Sequence, residues 1–187
     1  MPHRWSQANA IFHAGMLNVF IRNGDFVRIS CAHDFSSITH NHRNVPPSPR
    51  DRINRLYGDL AAGRRVLATT LDSDTFDMAG PVTQMEMIGD IPFLDVVAVT
   101  DKEQNEAVLF IVNRALESDY ALAVSWEGKP VHNSMEITYF TAADDPLAPQ
   151  TWEHPVRTST RTEQTKWDGR DFTVRIPACS MVRVVLR

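Results

Sequence analysis

Hydrophobic and polar positions follow two different periods along this chain. In the first sixty-odd residues the apolar positions recur mainly at helical spacing, as in Ala8, Ile11, Phe12, Gly15, Met16, Val19 and Phe20. Asn23-Gly24 ends this predicted helix, and "FVRIS", Phe26 to Ser30, is predicted as a strand. The order helix, strand, helix is the repeating unit of a parallel α/β fold, here without a strand before its first helix.

The second helix is predicted from its start signals. Ser48 suits the N-cap, Pro49 the first helical position, and Asp51 places negative charge at the positive end of the helix dipole. Gly63 ends the helix, and the apolar period then becomes extended. The sequence therefore predicts a domain boundary near Gly63, with residues 1–63 on one side and 64–187 on the other.

Short apolar runs separated by polar turns dominate the remainder. They predict an antiparallel β-sandwich, a mainly β fold of jelly-roll-like type. The predicted strands are "RRVLATTL" from Arg64, Leu94 to Thr100, Val108 to Asn113, Ala121 to Trp126, Met135 to Tyr139, Phe172 to Ile176 and Met181 to Leu186.

Composition and charge disfavour some classes of function. The chain has 187 residues and a net charge of -4, which disfavours nucleic acid as a partner. The N-terminus carries Arg4, Trp5 and His13 and no apolar stretch of secretory or transmembrane type, so we expect no membrane association and a cytoplasmic location. Cys31 and Cys179 are far apart, which predicts buried free thiols. No cofactor is expected.

Four segments carry a family resemblance. They are "ANAIFHAGMLNVFIRNGDFVRISCA" from Ala8, "IPFLDVVAV" from Ile91, "LFIVNRA" from Leu109 and "IPACSMVRVVL" from Ile176. In order and spacing they resemble the C-terminal part of α-L-arabinofuranosidases of glycoside hydrolase family 51. The resemblance implies that residues 1–63 are the helix-strand-helix end of a (β/α)8 barrel, and that residues 64–187 are the sandwich beside it. It also implies that an N-terminal segment of the full protein contributes to that sandwich.

The resemblance implies a retaining hydrolysis of terminal α-L-arabinofuranosyl groups by two glutamates. That chemistry needs two carboxyl groups about 5 to 5.5 Å apart. In the family both glutamates precede the part that this chain resembles, so we expect the chain alone to be inactive. The implied partners are an upstream barrel portion or further copies of the chain, with an arabinose-containing oligosaccharide as substrate.

Other carboxylates offer no clear replacement. Asp72, Asp74 and Asp77 lie in a polar turn, where aspartate usually bonds the backbone. Asp95, within a strand, is predicted either to lie on the polar face or to pair with a base such as Arg114. Glu103 and Glu106 are predicted to be surface charges. Asn113-Arg114 is predicted to be structural, with the amide bonding the backbone.

The segment "CAHDFSSITHNH" from Cys31 is the most chemically suggestive. The resemblance places it at the C-terminal face of the eighth barrel strand, where substrate groups collect. His33, Asp34 and His40 are therefore candidate substrate-proximal residues. His40 and His42 are also compatible with metal binding, although no third ligand at suitable spacing is evident.

Two alternatives to the enzyme-part hypothesis stay open. Trp126, Trp152 and Trp167 are candidates for stacking on sugar rings in a stand-alone carbohydrate-binding sandwich, although Trp126 ends an apolar strand and is predicted to be core. The first helix carries an apolar stripe that would be exposed without the rest of a barrel, which would make the chain an interaction module.

Overall fold

The computed structural model describes residues 5–28, 30, 47–78, 88–127, 134–151, 153–169 and 171–187. Two helices precede a set of strands. They are α1 (Gln7–Arg22), α2 (Pro49–Ala61), β1 (Arg65–Leu67), β2 (Thr75–Met78), β3 (Ile88–Pro92), β4 (Leu94–Thr100), β5 (Ala107–Asn113), β6 (Tyr120–Val124), β7 (Ser134–Ala142), β8 (Thr158–Lys166), β9 (Phe172–Ile176) and β10 (Ser180–Leu186). None of the helices in these ranges is long and apolar enough to span a membrane.

One large antiparallel sheet organises the fold. Its strand order is β1-β4-β5-β10-β7-β8, and two smaller antiparallel sheets pair β2 with β3 and β6 with β9. The predicted mainly β, antiparallel fold class is therefore confirmed. β5 is buried along its whole length because it lies inside the large sheet with cover on both faces.

The large sheet has a hydrophobic core on each of its faces. On one face α1 and α2 pack through Ala10, Ala14, Ile53 and Tyr57. On the other face the pair β6-β9 covers a second core whose members include Ile111, Ile137, Val174, Ile176 and Val184. The two helices of the first 63 residues thus pack directly on the sandwich. The division at residue 63 stays a prediction.

The C-terminal end of α1 and both ends of α2 follow the predicted signals, whereas the N-cap of α1 was not predicted. Ser6 caps α1, its hydroxyl accepting from the backbone N–H of Asn9. Ser48 and Asp51 form a reciprocal capping box at the start of α2, with Pro49 in the first turn. α2 ends at Ala61, and Gly63 follows with a φ of 71°, a conformation that glycine adopts without strain.

The predicted strand Phe26 to Ser30 is wrong for the residues that are described. The backbone N–H groups of Phe26 and Val27 both donate to the carbonyl of Asn23, which closes a turn directly after α1. Phe26 is 85% exposed, and residues 27, 28 and 30 have no regular structure. An isolated strand has no partner for its backbone groups, so the local turn is preferred.

Other differences concern polar strands. The predicted run from Arg64 is a strand only over β1, and the turn-rich stretch after Asp72 contains β2. β8, with the sequence TSTRTEQTK, carries no hydrophobic alternation. It is a strand because it pairs with β7 over its full length.

Candidate functional site

The three predicted substrate-proximal residues cannot be placed. His33, Asp34 and His40 lie outside the described residues, as do His42 and Trp152. Their roles stay predictions. Among the described residues, candidate features for a functional site include the outer side of α1, a buried charge cluster beneath its C-terminal end, and a cleft on the opposite face of the large sheet.

α1 has apolar residues on two opposite sides. Ala10, Ile11 and Ala14 are buried against the large sheet, as expected for a surface helix. Phe12, Met16 and Val19, which share the other side at i, i+4 and i+7, are 64%, 40% and 45% exposed. We call these three residues the outward face of α1. A helix that is apolar on both sides is typical of an element buried between two layers.

The outward face is also uncharged. Arg22 is the only Lys, Arg, Asp or Glu of α1, and its guanidinium is committed to Asp95. The single predicted apolar stripe from Ala8 to Phe20 is therefore divided, with Ile11 and Gly15 turned to the sandwich and the outward face turned away from it.

Asp95 is the centre of a buried charge cluster. It is 5% exposed, and its Oδ1 lies 2.6 Å from Nη1 of Arg22 while its Oδ2 lies 3.1 Å from Nη2 of Arg114. The same Nη1 of Arg22 donates to the carbonyl of Val96. The predicted pairing of Asp95 with Arg114 is confirmed. Arg22, the second partner, was missed because only the tertiary fold brings it there, although a base in the last turn of a helix is a common feature.

A neutral hydrogen-bond network adjoins this cluster. The hydroxyl of Tyr57 donates to Oδ1 of Asn18 at 2.7 Å, inside the core between α1 and α2. Burial, reinforced by the charge of Asp95, raises the pKa of Tyr57 well above its ordinary value, so the hydroxyl keeps its proton. Both arrangements fix α1 on the sheet. Neither presents a carboxylate in the acid or nucleophile role of a glycosidase.

Glu106 differs from its prediction as a surface charge. Its side chain is 17% exposed and pairs with Arg64 and with Nε of Arg187, the latter at 2.5 Å. Burial alone would raise the pKa of Glu106, but the hydrogen bonds from Arg187 and Arg64 hold it below its ordinary value. A carboxyl group held ionised by two guanidiniums is a poor general acid.

Asn113 confirms the structural role that was predicted for it. Its Nδ2 donates to the carbonyls of Ser118 and Pro177 at 2.8 Å, and its Oδ1 accepts from the backbone N–H of Ala115 at 2.9 Å. Cys179, in the turn that follows Pro177, is one of the two buried free thiols that were expected, and burial raises its pKa to about 12. Such a thiol is unreactive near neutral pH. Cys31, the other, lies outside the described residues.

A cleft of about 750 Å³ opens on the face of the large sheet opposite to the helices. One wall is the segment after β1, and the other is β6 with its continuation to Glu127. Residues of β4 and β5 are also part of the lining, among them Val96, Ala98 and Leu109. Trp126, half-buried on the second wall, stands edge-on to Trp167 at 6.1 Å between ring centroids. Trp167 itself is only 5% exposed, so its predicted availability for sugar stacking is wrong.

The described lining of the cleft does not provide the chemistry of a retaining glycosidase. Among the described residues that line the cleft, Glu127 is the only carboxylate, whereas that reaction requires a pair of carboxyl groups about 5 to 5.5 Å apart. Within the described part of the chain, no group of three His, Cys, Asp or Glu side chains is arranged to hold a metal ion.

A family model decides the relationship of this chain to known proteins. The model described as the α-L-arabinofuranosidase C-terminal domain matches residues 3–180, nearly the whole sequence. The chain belongs to this family. The large sheet, the two smaller sheets and the two helices described above thus form a C-terminal arabinofuranosidase domain.

Solved structures share this architecture. A thermostable glycoside hydrolase family 51 α-L-arabinofuranosidase from Thermotoga petrophila superposes with a TM-score of 0.79 at 18% identity, covering 100% of this chain and 39% of that one. The α-L-arabinofuranosidase of Thermotoga maritima, solved as an arabinose complex, gives 0.78 at 18% identity with the same two coverages. A family 51 α-L-arabinofuranosidase from Bifidobacterium longum gives 0.70 at 18% identity, covering 100% of this chain and 34% of that chain.

These comparisons show the fold. The C-terminal arabinofuranosidase domain spans well under half the length of the structures that it matches. No curated protein matches the sequence.

Proposed function

We propose that this chain acts as the C-terminal part of a retaining α-L-arabinofuranosidase, with the catalytic carboxylates on polypeptide outside the 187 residues. The outward face of α1 carries the proposal, because an uncharged apolar helix side is costly to leave in water. The family match and the partial coverage of larger arabinofuranosidases support it. The substrate class is then arabinose-containing oligosaccharide, and His33, Asp34 and His40 are the candidates for contact with it.

In this proposal α1 joins the two parts of the enzyme. Its inner side is fixed to the sandwich by Ala10, Ile11 and Ala14, and its C-terminal end by Arg22 and Asp95. The outward face then packs against barrel elements supplied by the rest of the enzyme. The N-terminal segment implied by the family resemblance is proposed to cover the cleft beside β6.

A complementation assay tests this arrangement. The chain is mixed with the barrel portion of the Thermotoga maritima enzyme, and hydrolysis of an aryl α-L-arabinofuranoside is measured. We expect activity with the wild-type chain and its loss with Phe12→Asp. Val156→Asp is the matched control, since Val156 is also exposed, at 54%, but lies outside α1. Equal restoration by the Phe12 variant would contradict the role of the outward face.

The cleft favours a second candidate function, a carbohydrate-binding module. Its size lies within the usual range for small-molecule sites, and it combines the half-buried Trp126 with Thr69, Thr70 and Gln104. Titration of the isolated chain with arabino-oligosaccharides, followed by tryptophan fluorescence, distinguishes the two candidates. A saturable change that Trp126→Ala abolishes would favour the binding module. An unchanged signal would remove it.

A further inference from the structure

β8 is a long, exposed strand at the edge of the large sheet. Among the described residues it pairs only with β7, and that pairing runs from Ala142↔Thr158 to Ser134↔Lys166 without a shift in register. Every residue from Ser159 to Lys166 is exposed. The second edge of β8 therefore leaves backbone donors and acceptors available to another strand.

Of the usual protections of a free edge, β8 has only charged side chains, namely Arg161, Glu163 and Lys166. Natural edge strands are commonly interrupted by proline or a bulge, or are kept short. β8 is nine residues long, has no Pro or Gly, and contains four threonines, which favour extended structure. The charged side chains of β8 are of both signs, so they do not simply repel a second strand that approaches this edge.

Arg161 and Glu163 are placed symmetrically about Thr162. They lie on the same face of the sheet, opposite Tyr139 and Ile137 of β7, and are 68% and 47% exposed. If a second β8 pairs antiparallel around a twofold axis at Thr162, Arg161 lies opposite Glu163 of the second copy, and Glu163 opposite its Arg161. Opposite charges at directly facing positions stabilise strand pairs, and like charges destabilise them.

We propose that β8 is a self-complementary interface at which two copies of this chain join their large sheets edge to edge. Isologous contacts of this kind place the same patch on both partners, as the symmetry about Thr162 requires. In the free chain Nη2 of Arg161 lies 3.1 Å from Oε1 of Glu163, and its guanidinium carbon lies 4.9 Å from the ring centroid of Tyr139. Arg161 and Glu163 thus pair with each other on the surface of the free chain. In the dimer each would pair instead with the opposite charge of the second copy. The proposal does not depend on the glycosidase assignment.

Charge exchange tests this interface. The mass of the purified chain is measured against concentration by sedimentation equilibrium, with a concentration-dependent dimer expected. Arg161→Glu and Glu163→Arg each place like charges opposite one another at two positions, and each is expected to weaken the dimer by about tenfold or more. The double variant Arg161→Glu/Glu163→Arg restores complementarity and is expected to dimerise again. Mixing the two single variants is expected to give a heterodimer.

Arg175→Glu is the control, because Arg175 is an exposed arginine on β9, paired with Asp119 and absent from β8. It should leave the dimer unchanged. Association through the outward face of α1 would not respond to these charges. The proposal is overturned if the wild-type chain stays monomeric, if the single variants dimerise as the wild type does, or if neither the double variant nor the mixture recovers dimerisation.

Discussion

Gly15 shows how a single position can be read differently in sequence and structure. A glycine within the apolar stripe of a helix is typical of close packing against a neighbour, and Gly15 is indeed buried beneath Arg114. A Cβ built on Gly15, however, would meet Nη2 of Arg114 at 3.7 Å and Oδ2 of Asp95 at 3.9 Å, which are ordinary contacts. The neighbour is close, yet there is room for a methyl group.

Gly15→Ala should therefore stabilise the chain. Alanine loses less backbone entropy than glycine in a helix interior, which predicts an increase of about 0.5–1 kcal/mol in the free energy of unfolding. Urea denaturation of both proteins measures this difference. A decrease would mean that the contact between α1 and the Asp95 cluster is tighter than described.

His13 makes stability depend on pH. It is 6% exposed between α1 and α2, with its Nε2 3.0 Å from Oδ1 of Asn54. Burial lowers its pKa, the charge of Arg50 adds to this, and the bond to Asn54 opposes it. The unfolded chain takes up a proton near pH 6.5, whereas the folded chain resists it. This contribution to stability is complete above about pH 6.5 and is lost as the pH falls.

Acidification from pH 7.5 to pH 5 should consequently cost the wild type more unfolding free energy than it costs His13→Gln. The glutamine can still bond Asn54 but does not titrate. Denaturation curves of both proteins at the two pH values give the comparison. Equal losses would show that His13 is not protected from protonation in the fold.

At the scale of elements, α1 makes the sharpest prediction because its two sides have different neighbours. Ile11→Asp buries a carboxylate in the core between helix and sheet and should lower the free energy of unfolding by about 3 kcal/mol or more. Phe12→Asp, one residue later on the exposed outward face, should change it by only about 0.5 kcal/mol. Thermal unfolding followed by circular dichroism compares the two variants, and similar losses would contradict the orientation of α1.

Elements with strong local signals could be predicted from the sequence. β4 and β9 have their predicted bounds, since an apolar run ends at polar turns, and the capping box of Ser48 and Asp51 marks the start of α2. β8 could not be predicted because its residues are polar and its pairing with β7 alone makes it a strand. The strand predicted after Gly24 is wrong for the opposite reason. Its residues are apolar, but no strand lies beside them among the described residues.

The candidate site shows the same limit. Pairing of Asp95 with Arg114 was predictable because the two residues lie on adjacent elements, whereas Arg22 joins them only through the packing of α1 on β4. The exposure of Trp167 was misjudged because its polar surroundings in sequence do not reveal that Trp126 and Phe172 enclose it.

At the scale of the whole molecule, the described residues form one large sheet, with the two helices on one face and the β6-β9 pair on the other, and a further small sheet of β2 and β3. In the part of the chain that the structure describes, the outward face of α1, the cleft beside β6 and the edge of β8 are available for further contacts. The Asp95 cluster and the Glu106 cluster hold their carboxylates with arginines, so neither supplies an acid and a nucleophile. These described carboxylates therefore agree with the proposal that the catalytic pair lies on other polypeptide.

The rate of arabinose release by the folded chain alone tests this assignment most directly. Purified chain, verified as folded by a cooperative thermal transition, is incubated with an aryl α-L-arabinofuranoside and the freed aryl group is measured. The account predicts a rate equal to that of buffer. Turnover above that rate, abolished by replacing a carboxylate of this chain such as Glu127→Gln, would contradict it.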